Sequence, residues 1–396
     1  MKSKIALIVD IRKWAFDNIA KNIEKFLSSK FDFKIFYIED FKNYTDLIKE
    51  IFLINNFDII HFFWRLELLN IITKIEEVEN NKKKIILSKL INKKITTTIY
   101  DHAYLDIKKN QFFYYVNNLL ITELYDAFSV SSKKLFDIYR NKINNEKRKI
   151  FYTPDGVDLN IFNKKSNKNI LKKDVITLGW IGNSQWKEIK NEDVKGLYSI
   201  IIPAWKKISK IYKKKKVILK IIDRSKQKKI LTKEEVSNWL NEIDIYLNAS
   251  LHEGTPNPVL EAMACGIPVI STDVGIINEV FGKRQKKLIF ERNIEDLIQK
   301  IIFLIENPKI YKEISEENLN SIKQFDISKK IKNFETFFEY TVNKKTNFYK
   351  KAINLSFFLI KLKELKFKIF LNKIKLKFNL FNRINIGVLL SKDNFF

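Results

Sequence analysis

Residues 252–268 read HEGTPNPVLEAMACGIP and differ in composition from the rest of this 396-residue chain. Lys, Asn, Ile, Phe and Leu dominate the chain, but this window contains its only Cys, one of its two Met and one of its three His. It also contains three of the six Pro and two of the nine Gly. Where the background drifts toward a few residue types, a stretch that keeps rare ones is held by backbone geometry or by chemistry. We therefore expect the functional site in this window.

The window predicts a loop and a helix at the carboxyl end of a buried strand. Ile245–Asn248 is a short apolar run, and Gly254 lets the loop that follows pass close to a ligand. Pro256 and Pro258 suit the start of a helix because proline has no N–H to satisfy, and Gly266 suits its end. The free amides and the dipole at the start of this helix favour an anion, best a phosphate.

Short apolar strands alternate with helical patterns along the chain. The predicted strands are Ile5–Val9, Phe33–Tyr37, Asp58–Phe63, Ile95–Tyr100, Tyr125–Val130, Lys149–Tyr152, Val175–Ile181, Val217–Ile222, Ile245–Asn248 and Val269–Thr272. The predicted helices are Asn18–Leu27, Tyr44–Phe52, Leu197–Ile208, Glu234–Glu242, Pro258–Cys265, Ile294–Ile305 and Asp326–Tyr340. This order indicates an α/β protein with two tandem doubly wound, Rossmann-like domains. We assign residues 1–160 to the first domain, 161–342 to the second and 343–396 to a C-terminal extension.

The positive charge of the chain is concentrated in this extension. The formal net charge is +27, and residues 343–396 hold 13 Lys and Arg against only Glu364 and Asp393. Residues 350–396 interleave lysines with apolar residues, so either helical or strand periodicity gives one apolar and one cationic face. This pattern predicts contact with an anionic membrane surface; the alternatives are an element packed on the core or on a partner, or a partly disordered end. We do not expect nucleic acid as a partner, because no recognition fold accompanies the charge.

Cysteine content and hydropathy bear on the compartment. A single Cys excludes an internal disulfide and fits a reducing compartment. No run of about 20 apolar residues predicts a membrane-spanning helix, and the apolar run near the N-terminus is too short for a signal peptide. We therefore expect a cytoplasmic protein, peripheral on the inner face of the plasma membrane.

Glu253 and Glu261 are the two acidic residues of the window. Two carboxylates beside a phosphate pocket would repel the phosphate unless they face neutral hydroxyl groups. The pattern therefore indicates a ligand that carries both hydroxyls and phosphate, such as a ribose or a sugar. The alternative is a tight strand–loop–helix unit with two solvated glutamates.

Residues 248–275 read NASLHEGTPNPVLEAMACGIPVISTDVG and closely resemble the nucleotide-sugar site of family-4 retaining glycosyltransferases of the GT-B fold. The hallmark of that family is two glutamates separated by seven residues, which Glu253 and Glu261 match. The resemblance is good over about residues 150–340 and weak over 1–150. It implies that Glu253 lies by the transferred sugar and that Glu261 holds the ribose hydroxyls. The loop that would hold the diphosphate through its free amides consists of Gly254, Thr255, Pro256 and Asn257.

A glycine turn follows the first predicted strand of the second domain. It ends in Gly182 and Asn183, and Lys195 follows an insertion, residues 184–194. A glycine turn against a helix start suits phosphate, and Lys195 would supply a neutralising cation. The resemblance implies an Arg where this chain has Asn183, so we expect half of the cationic clamp to be missing unless a lysine of the insertion replaces it. The alternative for Lys195 is a surface lysine.

Two further candidates lie in the first domain. His102 follows the strand Ile95–Tyr100 and resembles the His of many family members that contacts donor sugar or phosphate; the alternative is a His that caps a turn. Relatives have a glycine-rich loop after the first strand, whereas this chain has no glycine before position 156. In that loop Arg12 and Lys13 would meet an anionic acceptor and Trp14 would stack on a sugar. The alternative is a loop that Trp14 and its neighbours pack internally.

The resemblance implies a metal-independent enzyme in which Glu253, His102 and Lys195 serve the reaction. The chain has no Asp-x-Asp triplet and no Cys/His cluster, so we expect no metal and no cofactor other than the co-substrate. The implied partners are a UDP- or GDP-linked nucleotide sugar and a glycan or lipid-linked acceptor in cell-surface polysaccharide, lipopolysaccharide or capsule synthesis. Two alternatives remain. One is a degenerate, non-catalytic partner subunit, and the other is a sugar-nucleotide epimerase of the same fold.

Overall fold

The computed structural model of the protein describes residues 2–75, 77–105, 111–142, 149–166, 170–186, 192–227 and 230–364. The first of its two sheets has six strands in the order β2-β1-β3-β4-β5-β6, and all neighbours are parallel. Its strands are β1 (Ser3–Val9), β2 (Phe31–Tyr37), β3 (Ile59–Phe62), β4 (Lys94–Ile99), β5 (Ala127–Val130) and β6 (Ile150–Tyr152).

The second sheet has four parallel strands in the order β10-β9-β7-β8. Its strands are β7 (Val175–Gly182), β8 (Lys216–Asp223), β9 (Ile245–Asn248) and β10 (Val269–Ser271). The register pairs Gly182 at the end of β7 with Asp223 at the end of β8. The residues that follow these two strands therefore emerge side by side at one edge of the sheet.

Helices cover both faces of each sheet, as the predicted doubly wound α/β fold requires. They are α1 (Ala15–Leu27), α2 (Tyr44–Lys49), α3 (Glu67–Ile75), α4 (Asn80–Asn92), α5 (Gln111–Leu119), α6 (Lys133–Lys142), α7 (Ile202–Ile211), α8 (Lys233–Glu242), α9 (Asn257–Ala264), α10 (Ile277–Val280), α11 (Ile294–Glu306), α12 (Pro308–Ser321), α13 (Ile327–Lys330) and α14 (Lys332–Asn343). Turns of π-helix precede α7 and extend α2 and α5. The predicted strands and helices are all present. Helices α3–α6, α10 and α12 were not predicted, and the first four of them lie where no Gly or Pro occurs to mark their ends.

Helices α13 and α14 lie in the range assigned to the second domain but pack on the first sheet. Phe334, Phe337 and Phe338 of α14 are at most 1% exposed and surround His61 of β3. The apolar face of α14 completes the cover of this sheet beside α1, so the chain returns to the first domain after the second. Burial lowers the pKa of His61 to about 3, and its Nδ1 is 3.0 Å from Thr96 Oγ1. His61 is therefore a neutral core residue.

The described part of the extension also packs on the first domain. Residues 348–364 are helical, and Leu355, Phe358 and Leu362 enter the core beside α3 and α4. Lys351 is 7% exposed and donates to Asp126 Oδ2 at 2.6 Å. The extension beyond residue 364 lies outside the described residues. Among the helices that the structure describes, none is long and apolar enough to cross a membrane.

Candidate functional site

A cleft of about 510 Å³ lies between the two domains. It opens at the carboxyl ends of the parallel strands, where ligands bind in open α/β sheets. The second domain contributes residues that follow β7, β8 and β9, and the first contributes residues that follow β1, β3, β4 and β6. The volume falls in the range of about 300–1,000 Å³ that is typical of small-molecule sites.

The loop after β9 lies directly against the first domain. Thr255 Oγ1 donates to the carbonyl of Ser131 at 3.1 Å. A Cβ on Gly254 would lie 2.1 Å from Ser131 Oγ and 2.6 Å from the carbonyl oxygen of Tyr100, so this approach requires glycine. Within the described part of the chain the N–H groups of Gly254 and Thr255 donate no hydrogen bond. Both residues line the cleft, so these amides are available to an anion.

Helix α9 begins at the cleft. Pro256 is its N-cap, with φ −71°, and Pro258 stands in its first turn. Asn257 lines the cleft, and its Oδ1 is buried without a hydrogen-bond partner among the described residues. The positive end of the helix dipole therefore faces the cleft, as the two prolines predicted.

Glu253 and Lys195 form an ion pair in the cleft. Lys195 Nζ donates to Glu253 Oε1, which also accepts the hydroxyl of Ser250 at 2.8 Å. The ammonium lies 4.6 Å from the ring centre of Trp186. The two side chains are only 19% and 14% exposed. Because water screens them little, their charges act more strongly on a ligand in the cleft than surface charges would.

Glu261 projects from α9 into the same cleft. Its Oε2 is buried and accepts no hydrogen bond from the described residues. Burial raises the pKa of Glu261 above its usual range, and the charges of Arg224 and Lys233 act in the opposite direction. A buried carboxylate oxygen without a donor is a strong acceptor for the hydroxyls of a ligand.

Gly182 and Asn183 line the cleft, but Asn183 has a structural role there. Its Oδ1 accepts the N–H of Gln185 at 2.9 Å, and its carbonyl accepts the N–H of Trp186 at 3.2 Å. This turn places Trp186 over Lys195. The insertion lysines, Lys187 and Lys190, lie outside the described residues.

Arg224 is a cleft residue that no sequence pattern pointed to. It follows β8 and lines the cleft, and its N–H donates to the carbonyl of Gly182 at 2.8 Å. Strand pairing brings this cation beside the glycine turn, where the resemblance places an Arg and the chain has Asn183. A signal was present, since this basic residue lies two positions after the predicted strand Val217–Ile222, but the neighbour of that strand was unknown.

His102 lies at the domain interface and is not among the described residues that line the cleft. Its Nε2 is 3.2 Å from Nδ1 of His252. Burial lowers the pKa of His102 to about 4, and the charge of His252 acts in the same direction. The turn after β4 explains this position, because the N–H of Ala103 donates to Asp101 Oδ1 at 3.1 Å and folds the chain back. His102 thus faces the second domain, and its contact with the donor stays a prediction.

Trp14 lines the cleft, whereas Arg12 and Lys13 are not among the described residues that line it. The guanidinium of Arg12 pairs with Asp40 and Glu39 and lies 3.8 Å from the ring centre of Tyr37. Lys13 has φ 62°, a left-handed conformation that favours glycine. Lys13 therefore makes a turn that favours glycine, and neither cation is on the wall of the cleft that the structure describes.

Asp155 is a second cleft residue that the sequence did not reveal. It follows β6, lines the cleft and is 5% exposed. Its Oδ1 has no hydrogen-bond partner among the described residues. Burial raises the pKa of Asp155 to about 7, and a hydrogen bond from Asn257 opposes this rise. Asp155 can therefore carry a proton near neutral pH.

No group of three or more His, Cys, Asp or Glu side chains in the described ranges is arranged to hold a metal ion. The charged groups on the second-domain side of the cleft are instead the cations Lys195, Arg224 and Lys233 and the carboxylates Glu253 and Glu261. This combination suits a ligand with both phosphate and hydroxyl groups.

The sequence of this half of the cleft matches a known family. Residues 212–320 match the family model described as glycosyl transferases group 1. The matched segment contains β8, β9, α9 and β10, and hence Arg224, Glu253 and Glu261. This segment of the chain is similar to glycosyl transferases of group 1. The matched segment contains the strand–loop–helix unit of the cleft.

Curated relatives that match about a quarter of the chain are glycosyltransferases by description. The chain is 35% identical over 100 residues to the "Putative teichuronic acid biosynthesis glycosyltransferase TuaC" of Bacillus subtilis, which is 25% of each chain. It is 30% identical over 103 residues to an uncharacterized glycosyltransferase of Haemophilus influenzae, or 26% of this chain and 29% of that one. The matches thus span about a quarter of these relatives.

Solved structures resemble nearly the whole molecule. A glycosyltransferase from Rickettsia africae aligns with TM-score 0.60 and 16% identity over 87% of this chain and 100% of its own. Anabaena Alr3699/HepE in complex with UDP and glucose aligns with TM-score 0.57 and 14% identity over 85% and 99%. At these identities the similarity establishes the fold alone. The predicted GT-B fold is thereby confirmed.

Proposed function

We propose that this protein is a retaining glycosyltransferase that moves a sugar from a UDP- or GDP-linked donor to a glycan or lipid-linked acceptor. One observation carries the proposal. One cleft between the two domains is lined by two carboxylates, two cations and the free amides of the loop after β9. The carboxylates are Glu253 and Glu261, and the cations are Lys195 and Arg224. The UDP and glucose bound by the similarly folded Alr3699/HepE support a nucleotide-sugar donor.

Different cleft residues would contact different parts of the donor. Glu261 would accept the ribose hydroxyls, and Lys195, Arg224 and the N–H groups of Gly254 and Thr255 would hold the diphosphate. Glu253 would accept a hydroxyl of the transferred sugar. Because Lys195 bonds Glu253, the same contact would align the sugar with the leaving phosphate.

Catalysis would be positional and electrostatic. Fixed cations and amides stabilise the charge that develops on the leaving diphosphate, and such preorganised electrostatic stabilisation contributes most of the rate enhancement of many enzymes. These cations and amides would neutralise the leaving diphosphate, as a metal ion does in other enzymes. We therefore propose that the reaction needs neither metal nor cofactor. The leaving phosphate would help to remove the proton from the acceptor hydroxyl.

Calorimetric titration with UDP, GDP, ADP and CMP, each without metal, tests the donor site. One nucleotide is expected to bind, and Glu261→Ala should weaken it by about 30–100-fold because hydrogen bonds to a charged group are lost. Arg224→Met should weaken it by about tenfold or more. The exposed Lys226 on the same turn bonds Tyr198, so Lys226→Met is the matched control and should bind normally.

The remaining outcomes separate the alternatives. Binding that survives Glu261→Ala would contradict the site assignment. Failure of every nucleotide to bind the wild type would favour a degenerate partner subunit. Conversion of a nucleotide sugar to its epimer without an acceptor would favour the epimerase.

We also propose that the enzyme works at the inner face of the plasma membrane in the synthesis of a cell-surface glycan. The described helix 348–364 supports membrane contact. Opposite its buried face lies an exposed apolar stripe, with exposures of 79%, 52%, 46% and 57% for Tyr349, Ile353, Phe357 and Ile360. A helix that is apolar on two faces usually covers both, and the 13 Lys and Arg of residues 343–396 favour an anionic lipid surface. The teichuronic acid relative supports the glycan class.

Flotation of the full chain with liposomes tests the membrane contact. Binding to phosphatidylglycerol vesicles is expected to exceed binding to phosphatidylcholine. The double variant Ile353→Ser/Phe357→Ser should lower it by about tenfold or more, since each exposed side chain contributes about 1.5–3 kcal/mol when buried. Ile211→Ser, at a residue 57% exposed on the second domain, is the control. Equal binding by the double variant and the wild type would exclude this stripe as the contact.

A further inference from the structure

The first-domain wall of the cleft carries acids and aromatic rings. Asp10 and Trp14 follow β1, and Trp64 and Glu67 follow β3. Strands β1 and β3 are neighbours in the sheet, so their carboxyl ends bring these four residues to one wall. Tyr100 lines the cleft beside them.

Each of the two carboxyl groups of this wall has one oxygen that accepts no hydrogen bond from the described residues. The Oδ1 of Asp10 is buried and has no partner among the described residues. The Oε2 of Glu67 accepts the hydroxyl of Tyr44 at 2.5 Å and the amide of Asn70 at 3.0 Å; its Oε1 accepts no bond within the described ranges. Burial raises the pKa of both groups, and the charge of Asp10 raises that of Glu67 further. Together they repel anions and attract hydroxyl donors.

Asp155 adds an independent observation at the same cleft. This carboxyl is 5% exposed, and its Oδ1 has no partner among the described residues. An unpartnered polar atom at such burial costs free energy unless a ligand or water satisfies it. The cleft therefore has buried acceptor oxygens that can take hydrogen bonds from the polar hydrogens of a ligand.

The rings give this wall apolar surface beside the carboxyls. Trp14 and Trp64 are half-buried. Behind the loop, Phe16 packs on Tyr100 with ring centres 5.1 Å apart and on Phe63 at 5.7 Å. Supported aromatic faces next to hydrogen-bond acceptors suit the C–H face and the hydroxyl edge of a sugar ring.

Charge is divided across the cleft. The described cations that line it, Lys195, Arg224 and Lys233, all belong to the second domain. On the first domain, Arg12 is held by Asp40 and Glu39 away from the cleft. An anionic acceptor on this wall would therefore meet acids without a compensating cation.

We propose that Asp10, Trp14, Trp64 and Glu67 form the acceptor site and that it takes a neutral, hydroxyl-rich group, the terminal sugar of a glycan, rather than a phosphate or carboxylate. This inference rests on the proposed glycosyl transfer, because it is that reaction which requires an acceptor. It replaces the anionic acceptor that Arg12 and Lys13 had suggested. A lipid-linked acceptor fits if its glycan end, and not its phosphate, enters the cleft.

Saturation-transfer NMR with the full chain and its bound nucleotide tests the acceptor class. The probes are methyl glucoside, methyl galactoside and methyl N-acetylglucosaminide on one side, and glucuronate and glucose 6-phosphate on the other. We expect a neutral glycoside to bind and the anions to bind at least tenfold more weakly. Asp10→Asn and Glu67→Gln, which preserve shape, should each weaken the neutral glycoside by about tenfold. Glu24→Gln on the exposed side of α1 is the control.

Calorimetry on the same samples separates the two proposals. If the nucleotide binds the wild type, Asp10→Asn and Glu67→Gln equally, the donor site is intact and the protein is folded. Preferred binding of an anion, absence of binding by every neutral glycoside, or full binding by both variants would then overturn the acceptor assignment alone. If the wild type binds no nucleotide, the proposed function itself fails.

Discussion

Glu253→Gln is expected to lower the rate of glycosyl transfer by about 10²–10³-fold, the size of effect seen when one preorganised electrostatic contact is removed. Gln keeps the shape and the bond from Ser250, which is 2.8 Å from Glu253 Oε1. It removes the negative charge that we propose lies beside the transferred sugar and leaves Lys195 without its ion-pair partner. The loss should appear in kcat more than in donor affinity, because the charge matters most in the transition state.

The measurement is a steady-state assay of sugar transfer from the nucleotide that calorimetry identifies. Glu242 is exposed on α8 and pairs with Lys220, so Glu242→Gln changes the same charge without touching the cleft and should be fully active. The nucleotide affinity of Glu253→Gln should stay within about threefold of that of the wild type. The binding free energies of the two proteins would then differ by less than about 1 kcal/mol. Transfer at more than half the wild-type rate would remove Glu253 from the reaction.

The sequence reveals the second-domain half of the cleft because local patterns define it. The rare residues of 252–268 mark one strand–loop–helix unit, and Glu253, Gly254, Thr255 and Glu261 all lie within or beside its loop. Propensity, capping and spacing act over a few residues. Such a unit can therefore be predicted without knowledge of the rest of the fold.

The other cleft residues depend on which strands are neighbours. Arg224 meets the glycine turn only because β8 pairs with β7, and Asp10 meets Glu67 only because β1 pairs with β3. Sequence patterns predict strands well but leave their order open. Arg12 shows the same limit, since its partners Glu39 and Asp40 follow β2 and withdraw it from the cleft.

Helix α14 illustrates why domain limits are hard to predict. Its apolar spacing predicts a helix over 326–340, and a helix is present. Periodicity, however, says which face is buried and not against which sheet. Tertiary packing places α14 on the first domain. The first domain therefore consists of two separate stretches of the chain, which a division into consecutive ranges cannot describe.

The second large effect is expected at Arg65, in the core of the first domain. Arg65 and Asp101 have side chains 1% and 2% exposed and form a bidentate pair at 2.9 and 2.7 Å. Arg65 Nε also donates to Asn117 Oδ1 at 2.5 Å. Burial alone raises the pKa of Asp101, but the charge and hydrogen bonds of Arg65 outweigh it and hold that pKa below its usual range.

Arg65→Met should destabilise the protein by about 3–5 kcal/mol, because it leaves a buried carboxylate without its counter-ion. In the wild type the depressed pKa of Asp101 stabilises the fold above the unfolded pKa, and this is lost as the pH falls through the folded pKa. In the variant, protonation of Asp101 relieves the unpaired charge. The difference in thermal midpoint between wild type and variant should therefore be largest at pH 7.5 and smaller at pH 5.

The double variant Arg65→Met/Asp101→Asn is the decisive comparison. At pH 7.5 the double variant should have a free energy of unfolding about 1–3 kcal/mol higher than Arg65→Met. The reason is that replacing a buried ion pair by neutral groups costs less stability than breaking the pair. A single variant within about 1 kcal/mol of wild type would mean that water or another group compensates Asp101. The pair also fixes the turn that carries Tyr100 against Gly254. Rescue of stability without rescue of transfer would then show that the charge pair, and not merely the fold, positions the donor loop.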